Sequence, residues 1–191
     1  MGKKNWLSKF GDRELLWLML ALTGIFVFGF IVLANAAPVG PNDWELATVV
    51  AGHDTAREVE RKLGLSPCLV PNSTGDTISY LYNVPGVKGP TTYLRLDVNS
   101  HVDAITVSQD PPIVGVCYAP MRVSLPVRTA KGIELGATID QVIKLYGDPT
   151  ARFTVGPMAR LRYEVMYHRP YEWNLVFRNG RLVEWTVATE H

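Results

Sequence analysis

The spacing of apolar residues changes character along this 191-residue chain. From Leu15 to Ala34, twenty successive residues carry no charge. A helix of that length, at about 1.5 Å per residue, spans the roughly 30 Å hydrocarbon core of a bilayer. The pattern therefore predicts a transmembrane helix over 15–34, with Leu15, Trp17, Phe26, Phe28, Phe30 and Leu33 facing lipid. Lys3, Lys4, Lys9 and Arg13 precede it, and the first basic residue after it is Arg57. This asymmetry puts the N-terminus in the cytoplasm and the main domain on the periplasmic or extracellular side of the cell membrane, as a single-pass protein. A second reading stays open: Ala34-Asn35-Ala36 has the small-residue form of a signal-peptide site, and cleavage after Ala36 would release a secreted or periplasmic protein.

Beyond a Pro- and Gly-containing linker at 35–42, the chain repeats. Gly52 to Gly64 lies over Gly136 to Gly147, with Thr55, Val59, Leu63 and Gly64 matching Thr138, Val142, Tyr146 and Gly147 at one offset of 83. Thr55 with Glu58, and Thr138 with Gln141, have the spacing of a helix capping box. Val59/Leu63 and Val142/Tyr146 are i, i+4 pairs on one helix face. Gly64 and Gly147 suit a left-handed helix stop, with Pro67 and Pro149 just beyond. Each unit is thus expected to hold a helix of about ten residues.

After each helix the period falls to two. Ile78, Tyr80 and Tyr82 alternate, then Leu94, Leu96 and Val98, then Ile105 and Val107; in the second unit Leu161, Tyr163 and Val165 alternate, then Trp173, Leu175 and Phe177, then Val183, Trp185 and Val187. Asn179-Gly180 is a two-residue hairpin signal, and Asn99-Ser100 holds the corresponding place. These runs predict three antiparallel strands per unit, with the helix covering the apolar face and Trp173 and Trp185 in the core. Asn42 or Asp43 is a candidate cap for a further helix with Leu46, Val49 and Val50 on one face. Met121 to Val127 alternates and suits an edge strand or a bridge between units.

The expected class is α+β: a basic tail (1–14), a transmembrane helix (15–34), a linker (35–42), a first helix-plus-sheet unit (43–110), a connector (111–127) and a second unit (128–191).

Composition and charge sharpen the functional picture. With 19 Lys+Arg against 18 Asp+Glu there is no concentrated basic field of the kind nucleic acid requires. The balance hides opposite halves: 43–110 holds five basic and nine acidic residues, 128–191 nine basic and seven acidic. Alternation puts Tyr93, Arg95 and Asp97 on the strand face opposite the core, and Arg160 and Arg162 likewise, joined by Arg178. Arg and Tyr are enriched in protein-binding hot spots, so these six residues are the candidate protein-binding surface. Cys68 and Cys117, both outside the cytoplasm on this reading, are expected to form one disulfide. No C-x-x-C pair, P-loop, G-x-S-x-G or H-E-x-x-H occurs. His53-Asp54 reads as a helix start, with Asp54 as a cap, rather than as an acid–base pair. No catalytic residue, metal ligand, cofactor or small-molecule substrate is predicted.

The run of a Gly, a Thr-x-x-x-Val helix, a Gly stop with Pro soon after, Tyr-bearing strands and a closing hairpin resembles the SmpA/OmlA-like family of outer-membrane assembly lipoproteins. Two such units in tandem are similar to the β-lactamase-inhibitor-protein arrangement of that fold. The resemblance covers roughly Asp43 to Gln109 and Arg128 to Glu190. It implies a non-enzymatic two-layer module that binds proteins through an open sheet face. The lipidated cysteine of the family lipoproteins is missing, so their outer-membrane attachment does not carry over. The expected partners are lipid, through the N-terminal helix, and the other subunits of a larger bacterial membrane complex in which the chain is an accessory or assembly subunit; the alternative is a released inhibitor or ligand-binding protein.

Overall fold

The structure, a computed structural model, describes residues 43–66, 68–71, 77–84, 91–122, 127–166 and 170–189. They belong to one compact unit. Along the chain run β1 (Glu45–Leu46), β2 (Val49–Val50), α1 (Ala56–Leu63), β3 (Leu69–Pro71), β4 (Ile78–Val84), β5 (Thr92–Val98), β6 (Val102–Ser108), β7 (Ala119–Pro120), α2 (Ile139–Tyr146), β8 (Ala151–Val155), β9 (Met158–Met166), β10 (Pro170–Arg178) and β11 (Arg181–Thr189).

Nine of these strands form one sheet, in the order β3-β4-β5-β6-β11-β10-β9-β8, with β7 added beside β4. All its pairings are antiparallel except β4 with β7. Each half of the chain contributes a helix followed by a four-stranded meander, and the two meanders join through β6 and β11 in five registered pairs from Glu184↔Ser108 to Ala188↔Ala104. At the middle of that seam Thr106 faces Thr186, their hydroxyls 3.1 Å apart.

The same local devices recur in the halves. Glu58 accepts from the Thr55 amide (2.8 Å) and hydroxyl (3.0 Å). Gln141 and Thr138 make the reciprocal pair: the Thr138 amide donates to Gln141 Oε1 at 2.8 Å and the Gln141 amide to Thr138 Oγ1 at 3.2 Å. Nine residues after each capping threonine, Gly64 (φ 94°) and Gly147 (φ 79°) end the helices in backbone that disfavours a side chain. The carbonyls of these glycines accept from the Tyr82 hydroxyl (2.8 Å) and the Tyr163 hydroxyl (3.0 Å), so each helix end is tied to a central strand. Burial pushes both phenols up, that of Tyr163 to about 12.

One face of the sheet is dry. Val59 and Leu63 of α1, Val142 and Tyr146 of α2, and the inward residues of β4 to β6 and β9 to β11 make a single buried cluster, with Trp173 1% and Trp185 0% exposed. The β1–β2 hairpin closes this layer from the first half onto the second: Trp44 stacks on Tyr171 at 5.7 Å, and the Tyr171 hydroxyl donates to the Ala51 carbonyl at 3.3 Å. Buried Asp43 accepts from the Tyr146 hydroxyl, whose oxygen lies 2.7 Å from Thr129 Oγ1.

Several expectations are corrected. The α+β chain carrying a spanning helix gives way to a β-rich fold: among the described residues there are two helices of eight residues, and none is long and apolar enough to cross a membrane. The predicted span, with Leu15, Trp17, Phe26, Phe28, Phe30 and Leu33, lies outside the described residues, as do the tail 1–14 and the linker 35–42. The further helix after Asp43 is instead the β1–β2 hairpin, with Leu46↔Val49 closing a two-residue turn whose Ala47 and Thr48 have φ of 51° and 69°. Apolar residues at i and i+3 meet equally on a helix face and across such a turn, and β-branched Val49 and Val50 favour the strand. Each meander has four strands rather than three, because β3 and β8 add an outer edge at either side. Between Met121 and Val127 no strand is described; 123–126 lie outside the described residues, and the short pairing with β4 comes earlier, at Ala119–Pro120.

Asp54 is not the helix cap. It sits one residue earlier, nearly fully buried, where it accepts from the Val50 amide (2.7 Å) and the Lys62 ammonium (2.6 Å). Its desolvation opposes ionisation, but the Lys62 and Val50 bonds prevail and hold the carboxyl below the ordinary range.

Candidate functional site

The second face of the sheet carries the predicted surface residues. Strand registers lay them in rows across the halves. One row runs Leu81, Arg95, Thr106, Thr186, Asn174, Arg162 and Ala151 from β4 to β8. The two arginines flank the central Thr106/Thr186 seam at matching positions. The neighbouring rows bring Tyr93 onto Ser108, Asp97 onto Ala104, and Arg160 onto Val176 and Phe153. Tyr93, Arg95, Asp97, Arg160 and Arg162 therefore share one face, as the alternation requires. Arg178 lies at the end of β10, paired with Asp110 at 2.7 Å across the junction of the halves.

Most of these charges are tied into local networks. Arg95 forks onto Asp97 Oδ2 through Nε (3.0 Å) and Nη2 (2.7 Å), and Asp97 Oδ1 accepts from the Ser79 hydroxyl at 2.6 Å. Arg162 Nη2 bridges Glu164 (3.0 Å) and Glu172 (2.7 Å), while its buried Nε has no hydrogen-bond partner. Asn174 donates to the same Glu172. Arg160 is exposed and makes no ion pair among the described residues.

The two halves of this face differ in what covers them. Over the first half folds the connector, joined to the sheet by the Cys68–Cys117 disulfide, whose Cα atoms are 5.6 Å apart. Cys68, Leu81 and Ala119 are buried together with Val70, Ile113 and Tyr118 packed on them. Tyr118 meets Tyr93 edge to face at 5.0 Å and holds the loop in shape by bonding both the amide (2.9 Å) and the carbonyl (3.2 Å) of Ile113. Over the second half no described residue folds back, and Phe153 and Val155 of β8 are 57% and 79% exposed beside Arg160.

Spacing alone missed this asymmetry. The β8 residues Phe153 and Val155, and the loop residues Ile113 and Tyr118, were not singled out by sequence. For β8 a signal existed: Ala151, Phe153 and Val155 alternate with Arg152 and Thr154 and run into Gly156-Pro157, a hairpin turn with Gly156 at φ 56°. For the loop no period marks it, because its order comes from the disulfide.

Elsewhere, His53 Nδ1 lies 3.4 Å from Asp54 Oδ1 with the ring three-quarters exposed, and the carboxylate's stronger bonds go to Lys62 and Val50. A cleft of about 490 Å³ beside α2 is lined by residues 132–137 together with Gln141, Lys144, Leu145 and Arg181. Arg181 there donates to the Gly136 carbonyl. Among the described residues no three His, Cys, Asp or Glu side chains gather as metal ligands.

No family model, no curated protein and no solved structure matches the chain. The SmpA/OmlA-like resemblance thus rests on its short motifs alone.

Proposed function

We propose that this chain is a non-enzymatic protein-binding module of an extracytoplasmic compartment, an accessory or assembly subunit of a larger bacterial complex. The observation that carries this reading is the second half of the polar sheet face, over which no described residue folds. There Arg160, the Arg162–Glu164–Glu172 network and the exposed Phe153 and Val155 combine charged and apolar groups on a rigid sheet. Interfaces favour that mixture, with Arg and aromatic anchors inside a polar rim. The matching face of the first half is occupied by its own disulfide-held loop, so the two halves, alike in topology, offer unlike surfaces. The disulfide itself supports an oxidising compartment.

The test uses the full chain, gently solubilised from its source, with Arg160→Glu and Arg178→Glu introduced together. Neither side chain is buried, so the thermal midpoint should stay within about 2 °C, as for surface changes of a few tenths of a kcal/mol. A stoichiometric partner that co-purifies with the native chain and is lost from this variant supports the reading. A chain that purifies without a stoichiometric partner, or a partner retained undiminished by the variant, overturns it.

A further inference from the structure

The two edges of the sheet are treated differently. On one side β3 is three residues long and ends in Pro71, next to Cys68 of the disulfide, and β7 takes part of the edge of β4. Short length and proline are the usual protections of an edge. On the other side β8 carries no proline or bulge, and its one charge, Arg152, stands on the core-side face opposite Leu161 yet is exposed. Its register with β9 is unbroken from Ala151↔Arg162 to Val155↔Met158, and Arg152 to Val155 are all exposed.

The hairpin fixes which backbone groups are free. Val155 and Met158 close the two-residue Gly156-Pro157 turn, so residues 151, 153 and 155 direct their N–H and C=O groups to β9. The Glu164 amide agrees with this parity, donating toward β8 at Thr150 Oγ1 (3.0 Å). Arg152 and Thr154 therefore present their amides and carbonyls outward, and no described strand takes them.

We propose that this edge pairs with β8 of a second copy of the chain, antiparallel about a two-fold axis through Phe153. In that register Arg152 of one copy faces Thr154 of the other. Two such pairs each exchange two backbone hydrogen bonds, four in all, satisfying every outward group of both strands. Phe153 meets its symmetry mate as the close, non-hydrogen-bonded pair, and Ala151 meets Val155, so one face of the junction is wholly apolar. The neighbouring registers are worse. Shifting one way sets Arg152 against Arg152, like charges directly opposed; shifting the other way sets Arg152 against Gly156 in the turn and leaves two bonds rather than four. The Arg160 side chains, one strand further in on each copy, stand three strand spacings apart, about 14 Å, beyond the Debye length at physiological salt. The chain already uses this geometry once: β6 and β11 join its two halves edge to edge, antiparallel, over five pairs about Thr106 and Thr186. An isologous β8 contact repeats it between copies and places the two uncovered faces side by side. This pairing does not depend on the partner proposed above, and purified chain alone tests it.

The experiment is cysteine trapping in purified full-length protein in mild detergent, where Cys68 and Cys117 are already joined. Cβ atoms of a non-hydrogen-bonded antiparallel pair lie about 4.5–5.5 Å apart, close to disulfide reach. Phe153→Cys should therefore give disulfide-linked dimer, roughly tenfold more than Thr154→Cys, whose mate would sit on a diagonal about 7–8 Å away. Thr154→Pro in the Phe153→Cys background should abolish the crosslink while the thermal midpoint holds, because it removes only an outward amide. Equal trapping at 153 and 154, no trapping at 153, or trapping that survives Thr154→Pro overturns the proposal. If Phe153→Cys does not fold, sedimentation decides: native chain must show concentration-dependent dimer that Thr154→Pro lacks, and identical masses overturn it.

Discussion

Replacing both Cys68 and Cys117 by Ala should weaken the fold and open the covered half of the polar face. The disulfide closes a loop with a sequence separation of 49. In the chain-entropy relation the unfolded chain loses about 2.1 cal/mol/K plus 1.5R times the logarithm of the loop length, which at 25 °C comes to about 4 kcal/mol for about 50 residues. Cys68 is also buried on Leu81 and Ala119, so its truncation subtracts further packing. Trp173 and Trp185 are in the core and report global unfolding by fluorescence. With a urea dependence of about 2 kcal/mol/M, typical of this size, the midpoint should fall by roughly 2 M. The loop should move first: limited proteolysis between Pro111 and Tyr118 should be fast in the double variant and slow in the native chain. A midpoint shift below about 0.5 M at unchanged slope, together with an undigested loop, would refute this reasoning. It would mean that the Tyr118 bonds to Ile113 and the contact with Tyr93 hold the roof without the covalent link.

Four further outcomes follow from buried or half-buried polar contacts. Tyr146→Phe removes the hydroxyl shared by Asp43 and Thr129 and should cost about 1–3 kcal/mol by calorimetry, because a buried carboxyl keeps the Ala130 and Lys131 amides but loses its side-chain donor; a change below a few tenths would show that the cluster is not holding the N-terminal hairpin to α2. Asp54 is held below its ordinary value of 3.8, so its contribution is fully present above that pH and is lost as pH falls through the lower folded value. Asp54→Asn should accordingly flatten the acid limb of the stability curve, whereas an unchanged limb would assign acid sensitivity to other carboxylates. Asp43, raised by burial, has the opposite sign: its ionised form is the disfavoured one, and stability tied to it declines as pH rises past 3.8. At the seam of the halves, Thr106→Val and Thr186→Val should each cost about 0.5–1.5 kcal/mol, and the pair together less than their sum; additive costs would show that the two hydroxyls are not coupled.

Much of each half was legible in sequence because the forces that set it are local. A threonine three residues before a Glu or Gln, apolar residues at i and i+4, and a glycine that alone accepts positive φ start, orient and stop α1 and α2 wherever the rest of the chain lies. Period-two alternation likewise assigned Tyr93, Arg95, Asp97, Arg160 and Arg162 to the face opposite the core, since a strand cannot turn a side chain over without shifting every other one. Local spacing failed where two structures share it. Leu46, Val49 and Val50 fit a helix and a hairpin alike, and the hairpin won through contacts far along the chain: Trp44 on Tyr171, Asp43 with Tyr146 and Lys62 on the Thr48 carbonyl.

Short-range spacing along the chain sets two similar units, where their helices start and stop, the alternation of their strands and the two cysteines available to pair. Long-range pairing set the rest: the meanders fuse through β6 and β11 into one sheet, the connector roofs one half of its polar face, and no described strand covers the outer edge of β8. Those outcomes depend on backbone pairing and on a crosslink between residues dozens of positions apart. The hydrogen-bonding groups that make them are the same at every residue, so no side-chain period records which edges will meet.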